Sequence, residues 1–264
     1  MYEFNVRKPG SVSLAVAALQ GAEDGKLLAG GQTLIPTLKQ RLASPSDLVD
    51  LGAVGELKGI SDEGSAVKVG AMTTHAEVAT SEVVRSQIPA LAELAGLIGD
   101  PQVRNRGTIG GSIANADPAA DYPAAIVGLN ATVHTNQRSI AADDFFTGLF
   151  ETALNDDEII TAVSFPKPSK AGYAKFPNPA SRYAVVGVMV AQTGGQTRVA
   201  VTGAGPSAFR IADAESALSS NFSADALQNL AVSPADLNSD IHASAEYRAH
   251  LVGVMARRAV AAAT

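Results

Sequence analysis

Apolar positions recur along this chain with two different periods, and the alternation between them divides it into elements. Ser11–Gln20 has helical spacing, with Ser11 or Ser13 placed to cap it. The apolar run Lys26–Ala29 predicts a strand, a short helix follows around Thr37–Arg41, and Asp47–Leu51 predicts a second strand. Ala66–Gly70 alternates as a half-buried strand. His75–Arg85 and Pro89–Ile98 have the helical period, whereas Gly99–Asp121 shows little of either and predicts a long loop. Loops of that length in compact domains are usually functional or disordered, and the apolar Val103, Ile109 and Ile113 point to order. Ala131–Thr135 and Arg138–Ile140 flank Asn136-Gln137 as a hairpin, and Glu158–Phe165 predicts a strand ended by Pro166. Ala184–Gln192 and Arg198–Thr202 pair as strands across Gly194-Gly195. Helices over 211–219 and 244–263 complete the pattern, and Asn221–Val232 is polar and helix-like.

The segment from Pro166 to Gly172 breaks both periods and predicts a linker. Two glycine pairs punctuate the part before it, in Lys26-Leu-Leu-Ala-Gly-Gly-Gln-Thr-Leu-Ile-Pro36 and Thr108-Ile-Gly-Gly-Ser-Ile-Ala-Asn-Ala-Asp-Pro118. Each follows an apolar run, which predicts a turn at the end of a strand. Glycine lets successive N–H groups converge on an anion and removes the Cβ that would hold it away. Two such turns suit a ligand with two linked phosphates, although a single Gly-Gly is more often only a tight turn.

Composition narrows the chemistry. The 264 residues are 46% hydrophobic and 17% charged, which is the range of a globular protein long enough for two domains. The net charge of −6 argues against nucleic acid as a partner. The absence of cysteine excludes disulfides, Cys-ligated iron–sulfur clusters, thiolate zinc and a Cys nucleophile from this chain. His75, His134, His242 and His250 are scattered without a metal-binding spacing. Redox chemistry would therefore need an organic cofactor. The first ten residues carry no apolar signal core and the longest apolar run is too short for a bilayer, so the expected location is the cytoplasm.

Val199-Ala-Val-Thr-Gly-Ala-Gly-Pro-Ser-Ala208 matches the Gly-x-Gly-x-x-Ala fingerprint of a dinucleotide-binding unit. Its context does not: no second parallel strand with an acidic residue follows, and Pro206 removes an N–H where phosphate would be cradled. A structural strand-to-helix turn is the expectation there.

Taken together, the strings resemble the FAD-binding medium subunit of the molybdenum hydroxylases, especially the carbon monoxide dehydrogenase type. The resemblance rests on Ala29-Gly-Gly-Gln-Thr-Leu-Ile-Pro36, Gly70-Ala-Met-Thr-Thr-His75, Arg106–Asp121 around Thr-Ile-Gly-Gly-Ser, Lys175–Tyr183 and Ser244–Leu251. It runs nearly end to end. It implies an α+β fold: an FAD-binding domain of the vanillyl-alcohol-oxidase-like type in two subdomains, 1–55 and 56–168. A smaller domain, 169–264, with an antiparallel sheet and helices would follow. It also implies FAD on this chain, with [2Fe–2S] clusters on a small subunit and the molybdopterin cofactor on a large one. The assembly would be a dimer of heterotrimers that passes electrons from the clusters to an external acceptor.

By the same resemblance, Ala29, Gly30, Gly31, Gln32, Thr33 and Leu34 would surround the FAD diphosphate together with Thr108, Ile109, Gly110, Gly111 and Ser112. Backbone N–H groups would be the donors, with the hydroxyls of Thr33, Thr108 and Ser112 beside them. A Cβ at Gly31 or Gly110 would then block the phosphate. Asp121 would bind an FAD hydroxyl, or else cap the helix after it. Thr74 and His75 would lie near the flavin, where a near-neutral imidazole could handle protons. Lys175 would place a cation near the ring, Tyr183 would cover a ring face, and Ile98 and Ile160 would line the site. For Lys175 the plainer reading is an exposed strand lysine, and for Tyr183 core packing. Two rival functions remain at this stage: a self-contained flavin oxidoreductase, and a scaffold subunit without cofactor.

Overall fold

A computed structural model describes residues 1–264. The chain opens with β1 (Asn5–Arg7), α1 (Val12–Gln20), β2 (Gly25–Leu28), α2 (Leu34–Lys39) and β3 (Asp47–Asp50). β3 lies between β1 and β2 and is parallel to both. Parallel neighbours need crossovers, which α1 and α2 provide. Ser11 caps α1 by accepting the Leu14 N–H at 3.2 Å. β1 has three exposed residues and no alternation, so it leaves no hydrophobic signal. α2 begins at Leu34, directly off the first glycine turn.

A five-stranded antiparallel sheet follows, in the order β4-β5-β10-β6-β7. Between β4 (Ile60–Asp62) with β5 (Ala66–Gly70) and the rest of the sheet stands a run of short helices. The single helix expected over His75–Arg85 is two, α3 (His75–Thr80) and α4 (Glu82–Gln87). Ser81 is extended and caps α4, accepting the Val84 N–H. α5 (Pro89–Gly96) comes next.

The long loop expected over Gly99–Asp121 is also overturned. It holds α6 (Pro101–Arg104) and α7 (Ile109–Asn115), capped by Asp100 and Thr108. Helices of four and seven residues are too short to display a period, which is why the segment looked irregular. α8 (Tyr122–Gly128) is buried at every residue. β6 (Thr132–Thr135), β7 (Ser139–Ala141), α9 (Ala142–Phe145), β8 (Phe146–Gly148), β9 (Glu151–Thr152) and β10 (Ile160–Pro166) complete this part.

Lys167–Ser169 joins it to a second antiparallel sheet of β11 (Lys170–Pro177), β12 (Ala184–Thr193), β13 (Gln196–Thr202) and β14 (Phe209–Arg210), with α10 (Ala212–Ser220) and α11 (Ala245–Ala262). The Gly203-Ala-Gly205 segment returns the chain from β13 to antiparallel β14, so it is a strand-to-strand connection and opens no helix. Asn221–Val232 contains only a 3-10 turn at Ala224–Leu227. Alternate residues of β12 serve two cores. Val186, Val188 and Val190 pack with α10 and α11, while Met189 and Ala191 join the core that includes α5 and α8. No helix is long and apolar enough to cross a membrane.

Candidate cofactor site

A cavity of about 560 Å³ is lined by the first glycine turn, the segment around α7, the start of β10 and the loop between β11 and β12. Its size is in the range of cofactor pockets. Fifteen of the eighteen residues singled out above line it; Thr74, Ile109 and Lys175 do not. Lys26, Met72, Asn115, Glu158 and Ile159 also line it and were not anticipated. Lys26, Met72 and Asn115 lie inside the quoted strings without having been singled out, whereas Glu158 and Ile159 lie outside them and are brought there by the fold.

The first glycine pair is the turn that was expected. Gly31 has φ +71°, a conformation that side chains with a Cβ rarely adopt. A Cβ on Gly30 would fall on the Arg106 carbonyl and 2.7 Å from Gly107 Cα. From Ala29 to Leu34, six consecutive N–H groups donate to no acceptor in the chain. Gln32 and Thr33 are exposed, but Ala29, Gly30, Gly31 and Leu34 are half-buried, where amides are normally paired, so the run is suited to an anionic ligand. The Thr33 hydroxyl is not used in capping α2.

The second glycine pair differs from its expectation. It is not at a strand end but in the first turn of α7. Its amides are largely occupied: Ile109 N–H donates to Thr73 O at 3.1 Å and Gly110 N–H to Ala71 O at 2.9 Å. Gly111 N–H donates to the Thr108 hydroxyl at 3.1 Å and Ser112 N–H to Thr108 O at 3.0 Å. Only the Thr108 N–H is without an acceptor along this stretch. Gly110 borders the cavity, but a Cβ added there would point into the wall, 2.6 Å from Ala71 Cβ. Ile109 is fully buried beneath it. One unsatisfied run and one close-packed wall therefore replace two equal nests.

Thr74 is committed to a capping box with Glu77. His75 is buried, its ring edge against Gly107, where an added Cβ would be 2.5 Å from Nε2. Burial, with Arg104 second, lowers its pKa to about 4. The imidazole is neutral at pH 7, with one ring nitrogen able to accept a proton. Its Nδ1 and the Tyr122 hydroxyl are buried without partners, and the two rings lie 5.3 Å apart.

Lys175 is neither exposed nor on the cavity wall. Its side chain is 2% exposed and pairs with Asp121 at 2.9 Å. Asp121 does not cap α8 through its side chain. Burial raises its pKa against the opposing pull of Lys175 and Tyr173. Burial likewise raises the pKa of Asp117. Tyr183 is 44% exposed at the cavity edge, not packed in the core. Glu158, also on the cavity wall, is buried, and the Arg138 guanidinium bonded to it holds its pKa at about 2.

Comparison with known proteins matches this geometry to a described group. A family profile for the FAD binding domain in molybdopterin dehydrogenase covers residues 2–168, and one for the CO dehydrogenase flavoprotein C-terminal domain covers 171–263. The carbon monoxide dehydrogenase medium chain of Hydrogenophaga pseudoflava is 37% identical over 98% of this chain and 96% of its own. The nicotine 6-hydroxylase medium subunit of Paenarthrobacter nicotinovorans is 38% identical over 96% and 94%. A solved structure of the Cu,Mo-CO dehydrogenase superposes with a TM-score of 0.90 at 36% identity, covering 99% of this chain and 98% of that one. The chain belongs to the FAD-binding medium subunits of the molybdenum hydroxylases, oxidoreductase flavoproteins of multi-subunit, molybdenum-containing dehydrogenases.

Proposed function

We propose that this chain is the electron-transfer subunit of a cytoplasmic molybdenum hydroxylase built as a dimer of heterotrimers. It holds FAD in the cavity, takes electrons from [2Fe–2S] clusters of a small subunit, and delivers them to an external acceptor. The substrate is oxidised at the molybdopterin cofactor of a large subunit. FAD supplies redox chemistry that none of the side chains of this cysteine-free protein can provide.

The observation that carries this reading is the run of unsatisfied amides from Ala29 to Leu34 beside the Thr108 N–H. These groups, with the free hydroxyls of Thr33 and Ser112, hold the diphosphate. Backbone dipoles act locally, so the net charge of −6 does not oppose them. Asp121 accepts from a cofactor hydroxyl. Ile98, Ile160 and Tyr183 provide apolar and aromatic contact for the ring system and exclude water. His75 forms part of the wall as a neutral group. The carbon monoxide and nicotine enzymes are similar to this chain at nearly equal identity, which fits a substrate site located on another subunit.

Titration of the full chain with FAD, followed by flavin fluorescence and absorbance, tests the reading. Saturable one-to-one binding is expected, with reduction of the bound flavin by substrate only when the two partner subunits are present. A folded chain that takes up no FAD would remove it.

A further inference from the structure

Asp121 lines the cavity although only 4% of its side chain is exposed. Both carboxylate oxygens are held from the second antiparallel sheet. The Tyr173 hydroxyl donates to Oδ1 at 2.5 Å and the Lys175 ammonium to Oδ2 at 2.9 Å. Residues 173 and 175 are two apart on β11 and so project from the same face. Lys175 is itself fixed by donation to Leu97 O at 3.2 Å.

The same sheet grips the backbone that leads into Asp121. Gly203 N–H donates to Pro118 O at 2.7 Å, and Ala184 N–H to Ala119 O at 3.1 Å. The buried Thr202 hydroxyl lies 3.0 Å from Pro118 O and 2.6 Å from Ala120 O. Asp121 therefore sits on the cofactor-domain wall but takes its position and orientation from the C-terminal domain.

Lys175 alone would compensate the buried charge. A second donor adds direction, because pinning both oxygens removes rotation of the carboxylate. The rest of the first glycine turn offers donors, whereas the hydroxyls of a cofactor also need an oriented acceptor. We infer that Tyr173 is a positioning residue of the cofactor site: it holds Asp121 so that its remaining lone pairs receive a hydroxyl of bound FAD. FAD retention is thereby coupled to the docking of the C-terminal sheet. This rests on the FAD-binding function proposed above.

The test is the FAD affinity of the full chain across pH, for the natural protein, Tyr173→Phe, Asp121→Asn and the double variant. Tyr173→Phe weakens binding about tenfold, the scale of one lost hydrogen bond to a charged group. It also moves the acid-side loss of affinity to higher pH, because the carboxylate has lost a donor that favoured its charged form. In the Asp121→Asn background the Phe substitution adds less than about twofold, as required if Tyr173 acts only through Asp121. Should the Phe variant not fold, 3-fluorotyrosine at position 173 is a stronger donor and moves the acid-side midpoint to lower pH.

An unchanged affinity and pH profile in Tyr173→Phe overturns the inference. So does a loss of equal size with and without Asp121. Natural protein that binds FAD while Tyr173→Phe behaves identically overturns this inference alone. Natural protein that binds none overturns the proposed function as well.

Discussion

Gly30 and Gly107 stand back to back: a Cβ on Gly30 would lie 2.7 Å from the Gly107 Cα and closer still to the Arg106 carbonyl. The turn after β2 and the segment before α7 are thus in direct backbone contact, although they are far apart in sequence. Gly30→Ala must force them apart. It costs about 1–3 kcal/mol, the scale of overpacking, and weakens FAD binding at least about tenfold because the amide run is displaced. Thermal melting and FAD titration of the same preparation check both effects. Unchanged values for both would show that the contact is not maintained in solution.

Gly31 and Gly110 separate two effects that seemed alike in the sequence. Gly31→Val introduces a Cβ at φ +71° and 2.9 Å from Ile35 Cγ1, so it distorts the amide run and FAD affinity falls. Gly110→Val pushes into Ala71 in the core and lowers the stability of the cofactor-free chain itself, by about 1–3 kcal/mol or more. Urea unfolding of both FAD-free variants distinguishes them. A Gly110→Val chain as stable as the natural one would contradict the packing described.

His75 is expected to stay neutral through the physiological range. Its ring resonances should not move between pH 8 and 5, with a midpoint at about 4. The ordinary value is 6.5, so the unfolded chain binds the proton first as pH falls. The linked stability is complete above about pH 6.5 and is lost as the pH drops toward 4. An NMR titration with a midpoint near 6.5 for this residue would refute the buried, unpartnered ring.

Glu158 has the opposite chemistry with the same sign of dependence. Its pKa falls from 4.5 to about 2, chiefly through the hydrogen bonds of Arg138 and, after burial, of Thr135. Its contribution is therefore present above about pH 4.5 and is lost as the pH falls toward 2. Glu158→Gln should lower the melting temperature at pH 7 and narrow its difference from the natural protein at pH 3. A constant difference at both pH values would mean that the charge of Glu158 does not support the cavity wall.

Several elements were legible because their pattern is local. Helix α1 has its Ser11 cap, the β6–β7 hairpin its polar turn, and α11 spans nearly the 244–263 expected of it. The first glycine turn was legible for the same reason: Gly31 answers a local backbone requirement. Three features were not. α6 and α7 are shorter than the period that would reveal them, β1 is wholly exposed, and the break at Ser81 comes from a cap inside an apparently continuous helix.

The family, the cofactor class and most of the residues at the cavity follow from short strings whose chemistry is contained in their own order. Residue order also determined what is missing, since a chain without cysteine holds no thiolate-bound cluster. Tertiary structure alone decided which amides remain free, because the acceptors for Ile109 and Gly110 come from Thr73 and Ala71 on a preceding segment. It alone turned Lys175 and Tyr173 onto Asp121, fifty residues away along the chain, by folding β11 against the start of α8. Hydrogen bonding and burial depend on distance in space, and only packing sets that distance between residues so far apart in sequence.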